Sequence, residues 1–291
     1  MSESYSDATV KIDVVTQRQR IGGNLFTKIS SMNRSAELFD FLADFRMVVR
    51  AKGPVWGLKM VPRLVSYYRT RDAKRADNEK FGSQDGFDRT HGTDTSRFMW
   101  GAERGVCFDS DGELAFATGT TPAGTVEVPL SLLDIDWHEF VFVDIGCGMG
   151  KPLMVASRFP FKKLVGLDLS AKLIDAARKN VAIFTQGTDD AKRFELHVQD
   201  AATFEIPNAP TIYYLYNPFG ERTLKRVVRN IEDSLRANPR KLAVIYYNAT
   251  CRSVFQNSPL FELVRTIAQG PHLQVVYASK PSEWARPKKA R

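Results

Sequence analysis

The sequence predicts an α/β protein: a doubly wound, mostly parallel seven-stranded sheet preceded by an N-terminal helical region. Three observations predict it. From Glu139 onward, short apolar runs alternate with helical patterns, the arrangement that builds a parallel sheet with helices on both faces. A glycine-rich turn, Gly146-Cys147-Gly148-Met149-Gly150, separates the first such run from the helix after it. Upstream, Leu38, Phe39, Phe41, Leu42, Phe45, Val48 and Val49 recur at three- and four-residue spacing, the period of an amphipathic helix.

The elements follow in order. Residues 1–34 are rich in Ser, Thr, Asp and Asn with no sustained apolar period, which predicts a partly disordered tail. Ser35 suits an N-cap for the first helix, and Gly53-Pro54 stops it. A second apolar, basic stretch runs from Val55 to Tyr68. Residues 78–139 read as a loop-rich connector with short strands, so that 35–138 form the helical and connector region and 139–280 the sheet domain. Strands are expected at 140–143, 164–167, 194–198, 211–216 and 241–247, with helices at 151–158, 171–184, 221–236 and 252–257. Runs 261–268 and 273–278 pair as a hairpin across Gly270-Pro271. Residues 281–291 are expected to be a basic tail.

With 43% hydrophobic residues, the chain has enough apolar surface for a sizeable core. Its formal charge is +8 with a pI near 9.4. Nine basic residues and one acid, Asp72, lie within 46–75, so this stretch alone carries the whole excess. A basic amphipathic stretch suits an anionic partner, either a membrane surface or a phosphate backbone. The plainer reading is a helix packed on the following domain with its charged face in water. Cys107, Cys147 and Cys251 form neither a disulfide framework nor a zinc spacing. No window is apolar enough to span a membrane, and the N-terminus lacks a secretory layout. These features predict a soluble, cytoplasmic protein. His91, His138, His197 and His272 are scattered, and neither a metal-ligand cluster nor a nucleophilic triad is evident.

The chemistry concentrates at the glycine turn. Glycines there let the chain turn sharply and let a ligand approach the backbone. A dinucleotide fingerprint would place a third glycine at position 151, where Lys151 stands, which argues against a nicotinamide-dependent dehydrogenase. Asp144 lies two residues before the first glycine. An acid there opposes a pyrophosphate and suits a ligand with a positive amino group. Asp168 ends the second strand, where a carboxylate can accept hydrogen bonds from both hydroxyls of a ribose. Taken singly, Asp144 also suits a loop acid and Asp168 a strand-end charge; their joint placement around one turn favours a ligand site.

The run Phe140 to Gly150, then Val165 to Asp168, Val198 to Ala201 and Leu215 to Phe219 resemble the class I S-adenosylmethionine-dependent methyltransferases, over about residues 139–280. The resemblance implies S-adenosylmethionine as cofactor. Asp144 and the backbone at Gly146, Gly148 and Gly150 would then meet its methionine portion. Asp168, with Leu169, would hold the ribose, and Asp200 with Ala201 the adenine edge. Tyr216-Asn217-Pro218-Phe219 is similar to the Asn-Pro-Pro-aromatic signature of amino-group methyltransferases, which would make Asn217 and Tyr216 acceptor-side residues. Phe219 stands where a second proline is usual, and the alternative is a Pro-stabilised turn. His91 or Asp94, in the polar segment 87–95, would take a proton from the acceptor, against the alternative of an ordinary hydrogen-bonded loop. The acceptor stays open among a protein amine, nucleic acid and a small molecule. The competing reading is a non-catalytic S-adenosylmethionine-binding or membrane-surface interaction protein.

Overall fold

The computed structural model describes residues 35–62, 64–66, 68–69, 85–99, 104, 120–269 and 272–285. The expected tail at 1–34, the terminal residues 286–291 and the turn at Gly270-Pro271 lie outside the described residues. Two compact units are present, Met1–Lys74 and Arg75–Arg291.

In the first unit, α1 spans Ser35–Lys52 and ends at Gly53, whose φ of 86° is the left-handed geometry that glycine adopts at a helix C-terminus. Residues 54–62 are helical again, and the two segments form an antiparallel hairpin. Gly57 passes so close to α1 that an added Cβ would lie 2.4 Å from Val49 and 3.3 Å from Phe45. Further along, Tyr68 packs edge-on against Phe41 and donates its hydroxyl to Asp44 at 2.7 Å.

The second unit is built on one sheet. Its strands are β1 (Val141–Ile145), β2 (Lys163–Asp168), β3 (Phe194–Val198), β4 (Thr211–Tyr216), β5 (Leu242–Tyr247), β6 (Phe261–Gln269) and β7 (His272–Ser279). Their order is β3-β2-β1-β4-β5-β7-β6. The first five are parallel; β7 runs antiparallel between β5 and β6. Side chains alternate across the sheet. Phe142, Leu164, Tyr214 and Ile245 face a layer that includes α3 (Gly124–Ser131), α4 (Lys151–Ala156) and α5 (Ala171–Phe184). Val143, Val165, Tyr213 and Val244 face α6 (Glu221–Ala237). Such double-sided burial explains why these strands read as continuous apolar runs.

Two expectations need correction. Residues 85–99 and 120–139 hold no regular strand among the described residues. They form α2 (Phe87–His91) and α3 instead and belong to the second unit, so the unit boundary falls at Lys74 and not at 138. Thr125 explains part of this: its hydroxyl pairs with Tyr214 of β4 at 2.8 Å, and its carbonyl accepts from Gln274 of β7. Between β3 and β4 the described chain has a three-residue 3₁₀ turn but no α-helix, so His197 and Val198 of β3 are exposed. The expected tail from 281 is also packed at its start. Trp284 lies 5.9 Å from Phe140, and Ser282 and Ala285 are buried.

Gly166 sits mid-strand in β2, where a Cβ would meet Leu153, Leu196 and the Cys147 sulfur at 2.6–2.9 Å. Gly166→Ala is therefore expected to destabilise the fold by about 1–3 kcal/mol, read as a lower urea midpoint; an unchanged midpoint would show that the layer has room to spare.

Candidate functional site

The strand order reverses between β1 and β4, and clefts in parallel sheets open at the carboxyl ends of the strands at such a switch point. Three loops meet there. After β1, the glycine turn bends through Gly146, Gly148 and Gly150, all at positive φ. The amides of Gly146 and Cys147 both donate to the Leu167 carbonyl at 2.9 Å, laying the turn across the end of β2. Gly146 also passes under Pro218, where a Cβ would come within 2.7 Å of the proline ring.

Asp168, buried at the end of β2, holds these pieces together. Its Oδ2 accepts the Gly148 amide at 3.2 Å, and its Oδ1 accepts the Ser170 amide at 2.9 Å and a guanidinium N–H of Arg104 at 3.2 Å. Ser170 caps α5 by accepting from the Leu173 amide, and its hydroxyl donates to the Arg104 carbonyl. Arg104 is thus tied to the site at both main chain and side chain. Asp144 is the fourth residue of β1, two before Gly146. It is buried, and its Oδ2 has no hydrogen-bond partner. Burial, reinforced by the charge of Asp168, pushes its carboxyl well above the usual range.

The cleft has two lobes sharing Arg104, Gly146, Asp168 and Pro218. One is lined by Leu167, Leu169, Gln199, Asp200, Ala201, Phe219 and Thr223. The other is lined by Thr95, Thr121, Gly148, Met149, Lys151, Tyr216 and Asn217. Asp200 also caps the following 3₁₀ turn through the Ala202 amide at 2.8 Å.

The structure brings Gly146, Gly148, Asp168, Leu169, Asp200, Ala201, Tyr216 and Asn217 to the cleft wall. Gly150 and Asp144 line neither lobe. Two expectations change. His91 packs between Phe87 and Phe184, 4.6 and 4.8 Å from their rings, and lines neither lobe. Its pKa is lowered by burial and then by the nearby Arg158. Asn217, at a φ of 41°, has its amide oxygen engaged: it accepts from the hydroxyls of Thr250 at 2.7 Å and Tyr246 at 3.1 Å. Tyr246 reaches it from β5 and Thr250 from the loop after β5, so the oxygen braces the turn.

Sequence reasoning missed four supporting residues. Asp88 gathers the hydroxyls of Thr93, Thr95 and Ser96 at 2.6–2.7 Å and so fixes Thr95 in the wall. Asn180 donates to the carbonyls of Asp94 and Met149, pinning that loop to the glycine turn. Its signal was present: a polar residue on the apolar stripe Leu173, Ala177, Val181 of α5. Arg104, 64 positions from its partner, gave none. Lys151 registered only as a missing glycine. It is buried, pairs with Asp85 at 2.7 Å and lies 5.3 Å over the Phe87 ring.

Residues 142–238 match a family model described as a methyltransferase domain. That segment, about a third of the chain, is similar to a methyltransferase domain. Curated relatives match it over short segments. The ribosomal protein L11 methyltransferase of Hamiltonella defensa is 37% identical over 71 residues, 24% of this chain and 23% of that protein. The protein of the same name from Colwellia psychrerythraea is 40% identical over 78 residues, 25% of this chain and 26% of that one. The chain thus spans about a quarter of the length of the curated relatives it matches. Among solved structures, an RNA methyltransferase from Salinibacter ruber in complex with S-adenosyl-L-homocysteine has 22% identity, covering 59% of this chain and 95% of that one, with a TM-score of 0.39. A ribosomal protein L11 methylase from Lactobacillus delbrueckii has 13% identity, covering 54% and 77%, with a TM-score of 0.41.

Within the matched segment, Lys151 makes a checkable contribution. Burial raises the Asp85 pKa, but hydrogen bonds from Lys151 and from the amides of Ala123 and Phe87, with the lysine charge, bring it below its ordinary 3.8. A carboxyl lowered in the fold stabilises above its unfolded value and ceases to do so as pH falls through the lowered one. Lys151→Met is expected to cost about 3 kcal/mol at pH 7 and to flatten the loss of stability below pH 3.8. Unfolding curves that coincide with the unmodified chain at both pH values would contradict this.

Proposed function

We propose that the protein is an S-adenosylmethionine-dependent methyltransferase that moves a methyl group by in-line displacement to an acceptor at the β4 end of the cleft. The observation that carries this reading is the pair of buried carboxyls at the glycine turn. Asp168 is set at the strand edge, and Asp144 keeps an oxygen without a partner. A dinucleotide's pyrophosphate would bring more negative charge against the Asp168 carboxylate, which Arg104 already pairs. A nucleoside carrying a sulfonium and an ammonium brings positive charge there instead. The methyltransferase-domain match over 142–238 supports the same reading.

Each residue then has a role. Asp168, with Leu169 beside it, accepts from the ribose hydroxyls; its existing bonds to Gly148, Ser170 and Arg104 fix the carboxylate beforehand. Asp200 and Ala201 meet the adenine edge. Gly146, Gly148 and Gly150 let the backbone come close to the methionine portion, and Asp144 balances its ammonium. S-adenosylmethionine, when bound, supplies a methyl group already activated by its sulfonium. What remains for the chain is alignment, worth on the order of 7–11 kcal/mol in ideal cases. Tyr216 gives the acceptor an aromatic wall. Asn217 is a positioning residue that holds the β4 turn through Tyr246 and Thr250. Transfer of labelled methyl to fractionated cell extract tests the activity and sorts the acceptor among protein, nucleic acid and small molecule. No labelled fraction in any pool would count against turnover.

Two substitutions separate the roles. Asp168→Ala should weaken S-adenosylhomocysteine binding by about 2–3 kcal/mol in calorimetry, with Asp168→Asn as the variant that keeps the shape; unchanged affinity would remove the ribose assignment. Asn217→Ala should leave that affinity intact and slow turnover by roughly 100-fold. A matching loss of nucleoside affinity would place Asn217 on the cofactor instead.

A further inference from the structure

The helical hairpin of the N-terminal unit carries more apolar surface than its own packing uses. Over residues 54–68, Gly57, Met60, Val61, Leu64, Val65 and Tyr68 are buried. They recur at helical spacing and form one face, and Gly57 shows that this face meets α1. On the other side, Val55 is 65% exposed, Leu58 48% and Trp56 39%. Pro54 and Pro62 are exposed beside them. A surface helix ordinarily places polar residues there. These apolar groups cluster at the tip of the hairpin, next to the Gly53 turn.

The charges around that tip have one sign. Arg50, Lys52 and Lys59 are exposed around Val55 and Leu58, within the interval 46–75 that holds nine basic residues against Asp72. We propose that this tip docks the protein onto an anionic phospholipid surface, with Val55 and Leu58 entering the headgroup boundary and the basic side chains lying against lipid phosphates. Apolar side chains ringed by lysine and arginine are the composition that holds a helix in the plane of such an interface. Nucleic acid would satisfy the charges but offers aliphatic side chains little to bury against, which favours lipid. No helix among the described residues is long and apolar enough to cross a membrane, so the attachment is to the surface. The inference stands apart from the methyl-transfer reading, since it uses none of the cleft residues.

Co-sedimentation of the full chain with vesicles tests it. Phosphatidylcholine vesicles containing phosphatidylglycerol should pellet the protein, and pure phosphatidylcholine should bind at least about tenfold more weakly. Val55→Ser combined with Leu58→Ser should weaken anionic-vesicle binding by about tenfold or more while circular dichroism stays unchanged. Tryptophan emission should shift to the blue on binding, and Trp56→Phe should remove that shift. Two results would overturn the proposal. One is failure to pellet with anionic vesicles. The other is a serine double variant that pellets as well as the unmodified chain and binds a single-stranded RNA probe equally, which would reduce the tip to a charge-only contact.

Discussion

The Asp168 carboxylate is the constraint on which the rest of the site depends. One buried group accepts from the glycine turn after β1, from the N-terminus of α5 and from Arg104 in the connector. A buried carboxylate needs such partners, because leaving it without them costs more than any one bond returns. Meeting that need brings three distant parts of the chain to the end of β2. The cleft is therefore assembled before any ligand arrives, which is what a reaction dependent on alignment requires.

Asp144 stands under opposite conditions. It has no partner for one oxygen, and burial disfavours its charge. Two carboxyls at the ends of adjacent strands thus differ in environment: one is fixed by hydrogen bonds and paired with Arg104, the other keeps an oxygen without a partner.

Much of this was legible in the sequence because it is local. Strand runs buried on both faces must be apolar, so β1, β2, β4 and β5 announce themselves. The turn at Gly146 needs residues without a Cβ because Pro218 lies over it. What escaped is long-range. Arg104 and Lys151 work through partners 64 and 66 positions away, and nothing in their neighbourhoods marks them. His91 misled for the converse reason: a histidine in a polar segment looks catalytic, yet the aromatic pair Phe87 and Phe184 claims it. Asn217 sits where its motif placed it, but its oxygen is directed by Tyr246 and Thr250, whose approach depends on β5 and the loop after it. Residues 124–131 hold a helix in place through Thr125, whose hydroxyl pairs with Tyr214 and whose carbonyl accepts from Gln274, a tertiary match that no short window displays.

The most direct measurement is titration calorimetry of the unmodified full chain with S-adenosylmethionine and with S-adenosylhomocysteine. The account predicts saturable heat with both, at one nucleoside per chain. A folded protein that gives no heat with either, yet binds a nicotinamide dinucleotide, would contradict it.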